Sequence, residues 1–289
     1  MTTNIKEKNR WFIVLAAMGI HICIGSVYAW SVYVNPIKAN MGWTLTDVTI
    51  TFSVAIFFLG LSAALLGKFV ETKGPRLAAS LAAVLFGLGT IGSGFAIAME
   101  SKYLLYLTYG VLGGAGLGIG YISPVSTLVK WFPDRRGMAT GLAIMGFGFA
   151  SAISGPAIKI LTDDVGIANT FYILGSIYFT IMFLSAQYLE VPPEGYSPKN
   201  FQQEKIKEDL ASLTREEAVK TGRFYGLWIM LFINVTCGIA IISVASPLLQ
   251  EVVGISALAA ASAVGLMGIF NGAGRIIWAS ISDYLTRPV

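Results

Sequence analysis

The residue with the clearest chemistry in this sequence is Arg275, because it is a lone arginine inside a long apolar stretch. A charge at the centre of a membrane-spanning helix costs about 3 kcal/mol or more, so such a residue usually faces a cavity or a partner. A guanidinium group presents a planar fork of N–H donors that matches a carboxylate. Asn271 lies one helical turn earlier on the same face. We predict that Arg275 binds a small organic anion and that Asn271 supports it.

The alternative for Arg275 is that its side chain extends to the membrane surface. The apolar stretch ends near Asp283, eight residues further along the chain. At the helical rise this is about 12 Å, which is too deep for the side chain to reach water easily. We therefore favour the anion-binding interpretation.

His21 is the only histidine, and it shares a helical face with Gly25 and Tyr28. If Tyr28 faces a cavity, His21 should face it too, about 10 Å away along the helix. A titratable group at this place could couple proton movement to anion movement. The alternative, which we prefer, is a structural histidine that is hydrogen-bonded to a neighbouring helix.

The composition predicts an all-α polytopic membrane protein. Only 12% of the residues are charged and 55% are hydrophobic, whereas soluble proteins have roughly 25% charged residues. The charges separate apolar runs that are long enough to cross a bilayer. The predicted spans are about 11–34, 48–69, 77–98, 103–129, 137–161, 167–190, 224–249 and 256–281.

The basic residues of the connections predict the orientation. With this span count, one side carries only Lys38, Lys102 and Lys159, while the other Lys and Arg residues of the connections fall on the side of the N-terminus. Cytoplasmic loops carry the excess of basic residues, so we expect a cytoplasmic N-terminus. Asp47 is expected to cap the second span.

The chain divides into three predicted parts: a six-helix half at 1–190, a cytoplasmic linker at 191–223, and the first two helices of a second half at 224–289. An amphipathic helix is expected near 204–220. Cys23 and Cys237 lie in apolar runs, where small packing residues are the better interpretation than a disulfide or a metal site. We expect no metal, cofactor or nucleic acid. A lone histidine without carboxylates inside the spans argues against a membrane-embedded enzyme.

Several motifs resemble a known transporter family. Residues 67–76, GKFVETKGPR, resemble the loop between the second and third helices of the major facilitator superfamily, with Glu71 where aspartate is usual. Residues 131–141, WFPDRRGMATG, are similar to signatures of the oxalate/formate antiporter family and of monocarboxylate transporters. Three further stretches resemble the oxalate/formate group: YAWSVYVNP at 28–36, PPEGY at 192–196 and FNGAGR at 270–275.

This resemblance implies a twelve-helix bundle in two halves, of which eight helices are present, so we expect a fragment or an incomplete molecule. It also implies a basic residue in the eleventh helix that is absent here. By resemblance, Tyr28 and Tyr121 line the substrate cavity, although tyrosine is also common at membrane interfaces. Trp30 and Tyr33 are interpreted as interface anchors. Four charged residues would form a conformational latch: Glu71, Lys73, Arg76 and Asp283.

The function that the resemblance implies is secondary transport of small organic carboxylates by alternating access in the plasma (inner) membrane. Protons or a counter-anion would be the coupled partners. Val27 stands where a polar glutamine is expected in an oxalate carrier, which favours lactate, pyruvate or formate over oxalate. A non-transporting membrane sensor of anions with the same fold is the alternative function.

Overall fold

The computed structural model describes residues 9–193, 195–198, 213 and 215–284, with backbone only for 215 and 282–284. Within these residues there is no β-strand, and eight helices are long and apolar enough to cross a membrane. The all-α, eight-span prediction is therefore confirmed. The spans are Arg10–Met41, Leu45–Lys73, Pro75–Ala98, Lys102–Trp131, Arg136–Val165, Ile167–Tyr188, Gly222–Glu251 and Ala257–Ile281, and the last helix continues to Tyr284.

We call the membrane face at which the first span begins the N-terminal face, and the other the opposite face. The spans alternate between these two faces. The linker between the sixth and seventh spans lies largely outside the described residues, which include one short helix, Arg215–Ala218. Most of the predicted amphipathic helix at 204–220 and Glu194 of the linker motif also lie outside them.

The first span is longer than predicted and has an irregular turn. It consists of helix Arg10–Gly25, a 3-10 turn at Ser26–Ala29 and helix Trp30–Met41. The predicted end at residue 34 is wrong, because the helix continues through Pro36 and stops at Gly42 with a φ of 67°. A proline inside a membrane helix is tolerated when neighbouring groups compensate for the lost hydrogen bond.

The fourth span also contains an irregular segment, a π-helix at Tyr106–Gly113 between helices Lys102–Leu105 and Gly114–Trp131. Trp30 of the first span packs against Tyr109 of this segment, with ring centroids 4.4 Å apart. The irregular turns of the two spans therefore lie close together. Such turns are frequent near functional sites.

The interpretation of Trp30 and Tyr33 as interface anchors is wrong. Their exposed fractions are 0% and 3%, and the Tyr33 ring stacks on Phe171 with centroids 4.5 Å apart. Both side chains thus belong to the core that joins the first, fourth and sixth spans. Their amphipathic rings fit a membrane interface and a protein core equally well, so residue type alone gave the wrong environment.

The fifth and eighth spans pack closely along their length through small residues. A Cβ added at Gly148 would lie 2.5 Å from the backbone of Gly272, and one at Gly155 would lie 2.8 Å from the carbonyl oxygen of Ala261. Contacts of this kind need glycine, because a side chain would separate the helices. The eighth span is thereby held against the first six.

On the opposite face, each of the three lysines predicted there is paired with a carboxylate. Lys38 pairs with Glu251 at 2.9 Å, which connects the first and seventh spans. Lys102 pairs with Asp47 at 2.7 Å, and Lys159 pairs with Asp163. The N-cap residue of the second span is Thr44, and Asp47 completes its capping box. The Thr44 hydroxyl accepts a hydrogen bond from the backbone N–H of Asp47, and the Asp47 carboxylate accepts one from the backbone N–H of Thr44.

On the N-terminal face, the three latch residues with described side chains, Glu71, Lys73 and Arg76, form no ion pair with one another. Arg76 pairs with Glu190 at 3.4 Å. Glu71 and Lys73 are exposed, and neither forms an ion pair with another described residue. The side chain of Asp283 lies outside the described residues. The latch therefore stays a prediction.

Candidate functional site

The side chain of Arg275 is held by two hydrogen bonds from two different spans. Its Nε donates to Oδ1 of Asn271 at 2.9 Å, within the eighth span. Its Nη2 donates to the hydroxyl of Tyr28 at 3.3 Å, in the first span. Within the described part of the chain Arg275 has no carboxylate partner. Two of the five guanidinium N–H groups are used, so three can still donate to an anion.

Phe147 of the fifth span lies at the centre of this group, and the sequence analysis missed it. The Arg275 guanidinium carbon is 5.9 Å from its ring centroid, within the range of a cation–π interaction. The ring of Tyr28 meets it edge-on at 4.7 Å, and that of Tyr121 does so at 5.7 Å. Phe147 is 2% exposed, so one aromatic ring joins the three predicted site residues.

Three glycines allow the backbones to approach at Phe147. A Cβ at Gly25 would collide with the Phe147 backbone, and one at Gly146 would lie 3.1 Å from the Met18 carbonyl oxygen. Gly148 packs on the eighth span. Tyr28 itself lies in the 3-10 turn of the first span. The close packing of the first, fifth and eighth spans thus places the phenol, the ring and the guanidinium together.

His21 lies beyond Tyr121, at the end of this row of aromatic rings. Its ring meets that of Tyr121 with centroids 5.7 Å apart, and the side chain is fully buried. Its Nδ1 lies 2.9 Å from the carbonyl oxygen of Ala17, and because a carbonyl only accepts, Nδ1 carries the proton. Nε2 is buried without a hydrogen-bond partner. This bond lies within the first span, while the imidazole also faces the backbone of Tyr121 in the fourth span. The preferred interpretation, a hydrogen bond to a neighbouring helix, therefore stays a prediction.

A cavity of about 190 Å³ adjoins the two groups that hold Arg275. Tyr28, Asn271 and Ser151 contribute its polar groups. Most of the remaining wall comes from aliphatic side chains of the seventh and eighth spans, including Ile242, Ala245 and Val264. Arg275, Tyr121 and Val27 are not among the lining residues; Arg275 adjoins the cavity through its hydrogen bonds to Tyr28 and Asn271, and Val27 is fully buried in the core.

Residues 12–288 match the family model of the Major Facilitator Superfamily. The chain belongs to the major facilitator superfamily. It is accordingly a multi-pass membrane protein of a transporter family, as its motifs predicted. The eight apolar helices of the described residues agree with this membership.

Relatives with 26–29% identity support the narrower resemblance. The MFS-type transporter YhjX of Escherichia coli (strain K12) is 27% identical over 99% of this chain and 69% of its own length. The oxalate:formate antiporter of Oxalobacter formigenes is 29% identical over 96% of the chain and 65% of its own length. Monocarboxylate transporter 14 of Mus musculus is 26% identical over 64% and 36%. The chain therefore spans at most about two thirds of the length of these relatives, and its similarity to both predicted groups is confirmed.

Proposed function

We propose that the protein is a secondary active transporter of small organic carboxylates, and not an enzyme. The observation that carries this proposal is Arg275, a cation inside a span, held by Asn271 and Tyr28 beside a cavity and without a carboxylate partner among the described residues. A charge inside a membrane span is costly unless it is paired, so the site favours an incoming anion. The names of two relatives, which are carriers of carboxylates, support the same substrate class.

In the proposed complex the carboxylate accepts hydrogen bonds from the free N–H groups of Arg275. The Tyr28 hydroxyl, which now accepts from the guanidinium, can also donate its own proton to the anion. Phe147 and Asn271 keep the guanidinium in place, and Tyr121 supports Phe147 from the other side. In this proposal Tyr121 acts through Phe147, since it does not line the cavity.

A monocarboxylate such as lactate, pyruvate or formate is the favoured substrate over oxalate. A second carboxylate inside the cavity would face aliphatic side chains, and burial of an unpaired charge is expensive. Val27 does not line the cavity and is fully buried, so this side chain does not discriminate between these acids. The preference now depends on the composition of the cavity wall.

Transport in this proposal occurs by alternating access between a six-helix half at 1–190 and a second half that begins at 224, joined by the linker at 191–223. Rigid-body movement of such halves around a site at their interface is typical of secondary transporters. The proposed location is the plasma (inner) membrane with a cytoplasmic N-terminus, in line with the distribution of basic residues.

The proposal predicts saturable uptake of a monocarboxylate into proteoliposomes that contain the protein. Labelled lactate, pyruvate, formate and oxalate would be compared with and without a pH gradient, and in parallel with equilibrium binding. We expect at least one monocarboxylate to enter faster than oxalate. Saturable binding without any flux would contradict transport and support the alternative, a membrane sensor of anions.

We further propose that His21 is the group that couples protons to anion movement. Its Nε2 is a buried acceptor without a hydrogen-bond partner among the described side chains. Tyr121 contacts its ring, and Arg275 is the charged side chain that acts on it. Contacts between aromatic rings connect His21 through Tyr121 to Phe147, and the Phe147 ring contacts the guanidinium of Arg275. Such an unsatisfied group in a native protein calls for an explanation, and a catalytic or coupling role is one.

Replacement of His21 by asparagine should therefore remove the stimulation of uptake by an inward proton gradient. Asparagine keeps an N–H donor but does not bind a proton near neutral pH. Exchange of labelled for unlabelled substrate at equal pH should continue and serves as the control for folding. If His21→Asn responds to the gradient as the wild type does, His21 is not the coupling group.

A further inference from the structure

We infer, on the basis of the proposed function, that Ala245 and Val264 determine how long the carbon chain of the transported acid can be. Ala245 belongs to the seventh span and Val264 to the eighth, and both line the cavity beside Arg275. They are 2% and 3% exposed. Both are therefore part of a packed wall, where a change of side-chain volume changes the space for a ligand.

The polar and apolar groups of the cavity fix the orientation of the substrate. Tyr28 and Asn271 line the cavity and hold Arg275, so the carboxylate belongs at their end. The third polar lining residue, Ser151, directs its hydroxyl to the carbonyl oxygens of Gly148 and Val264, at 3.4 Å each. Its donor is thus engaged with the protein, and the carbon chain of the acid meets an aliphatic wall.

The volume of the cavity sets the expected size of the acid. An apolar cavity of about 150 Å³ in another protein accommodates benzene, which has six carbon atoms. The cavity described above, of about 190 Å³, should by the same scale hold roughly eight non-hydrogen atoms. An unbranched acid of this size is hexanoate, so we expect the affinity to fall beyond it.

Substitutions in the cavity wall should change the longest acid that binds well, toward shorter or longer carbon chains. Ala245→Leu adds three carbon atoms, which at about 25 Å³ each on the same scale would fill roughly two fifths of the cavity. Val264→Ala removes two carbon atoms and enlarges it. A mismatch of one methylene group in an apolar pocket changes discrimination by roughly tenfold or more. We expect the limit to shift toward propionate in Ala245→Leu and beyond hexanoate in Val264→Ala.

The experiment is competition of unbranched acids, from acetate to octanoate, with the uptake of labelled formate by proteoliposomes. Formate has no carbon chain, so its uptake provides the signal against which the competing acids are compared. The unfolding temperature in detergent reports whether each variant is folded. The matched control is Ala240→Leu, the same change at an exposed position five residues earlier in the same helix. This variant should keep the wild-type limit.

Three results separate the inference from the function on which it depends. An unchanged limit in both Ala245→Leu and Val264→Ala, with formate uptake intact, overturns the inference and leaves the transporter proposal standing. If Ala245→Leu takes up no formate, the chain-length limit of Val264→Ala alone tests the inference, because this variant enlarges the cavity and cannot obstruct the substrate. If wild-type protein takes up none of these acids while Arg275→Gln behaves identically, the proposed function itself fails.

Discussion

Replacement of Arg275 by glutamine is expected to abolish carboxylate uptake. Glutamine keeps a polar side chain next to Asn271 but removes the charge and most of the N–H donors that remain for an anion. Each hydrogen bond to a charged group contributes about 1.5–3 kcal/mol. The loss of two such bonds lowers the affinity by roughly 10²–10⁴-fold, because 1.4 kcal/mol corresponds to a factor of ten. Labelled uptake and equilibrium binding with purified protein would both measure this change.

Two further variants show whether uptake depends on the charge of Arg275, on its planar group, or on any loss of a positive charge from the protein. Arg275→Lys keeps the charge without the planar fork and should retain a part of the activity. Arg223→Gln removes a charge from an exposed residue at the start of the seventh span and should have no effect on the affinity. Undiminished uptake by Arg275→Gln would mean that the anion binds elsewhere.

The second large effect is expected from Gly148→Ala, a change of one methyl group in the fifth span. The new Cβ would lie 2.5 Å from both the nitrogen and the Cα of Gly272. Backbone atoms cannot rotate away as a side chain can, so the fifth and eighth spans would have to separate. Overpacking of this kind costs about 1–3 kcal/mol. We expect a lower unfolding temperature in detergent and a strong loss of uptake, because Phe147 and Arg275 lie beside this contact.

The control for this variant is Gly60→Ala in the second span. No atom lies within 4 Å of a Cβ built at Gly60, so the change adds a methyl group without a collision. It should be neutral or slightly stabilising, since alanine favours a helix over glycine. Equal unfolding temperatures for the two variants would show that the fifth and eighth spans do not depend on this close contact.

The fold could be predicted from the sequence because apolar length and the alternation of basic loops are strong signals in membrane proteins. The helix ends were less predictable. The first span was predicted to end near residue 34, but the helix continues through Pro36 to Met41. Trp30 and Tyr33 were placed in the wrong environment, because aromatic residues near a span end fit both lipid and core.

The geometry of the candidate site was predictable in part. The contact of Arg275 with Asn271 follows from the helical period, since four residues separate them. The contact with Tyr28 joins residues 247 positions apart, and only the family resemblance suggested that both face one cavity. Phe147 gave no signal, because an apolar residue in a membrane helix can face lipid or protein without any change of pattern. The roles of these residues in binding remain predictions.

The ion pair between Lys38 and Glu251 makes the contact between the first and seventh spans sensitive to dissolved salt. The pair lies at the opposite face, and the exposed fractions of the two side chains are 28% and 53%. Charges in contact with water are screened within about 10 Å at 0.1 M ionic strength. Any movement that parts these two spans must break this pair, at a cost that falls as the ionic strength of the medium at that face rises. Arg275 is partly buried inside a span, and partly buried charges are screened less than exposed ones. The composition of the bathing solution should therefore act more on the closure of the opposite face than on the strength of anion binding.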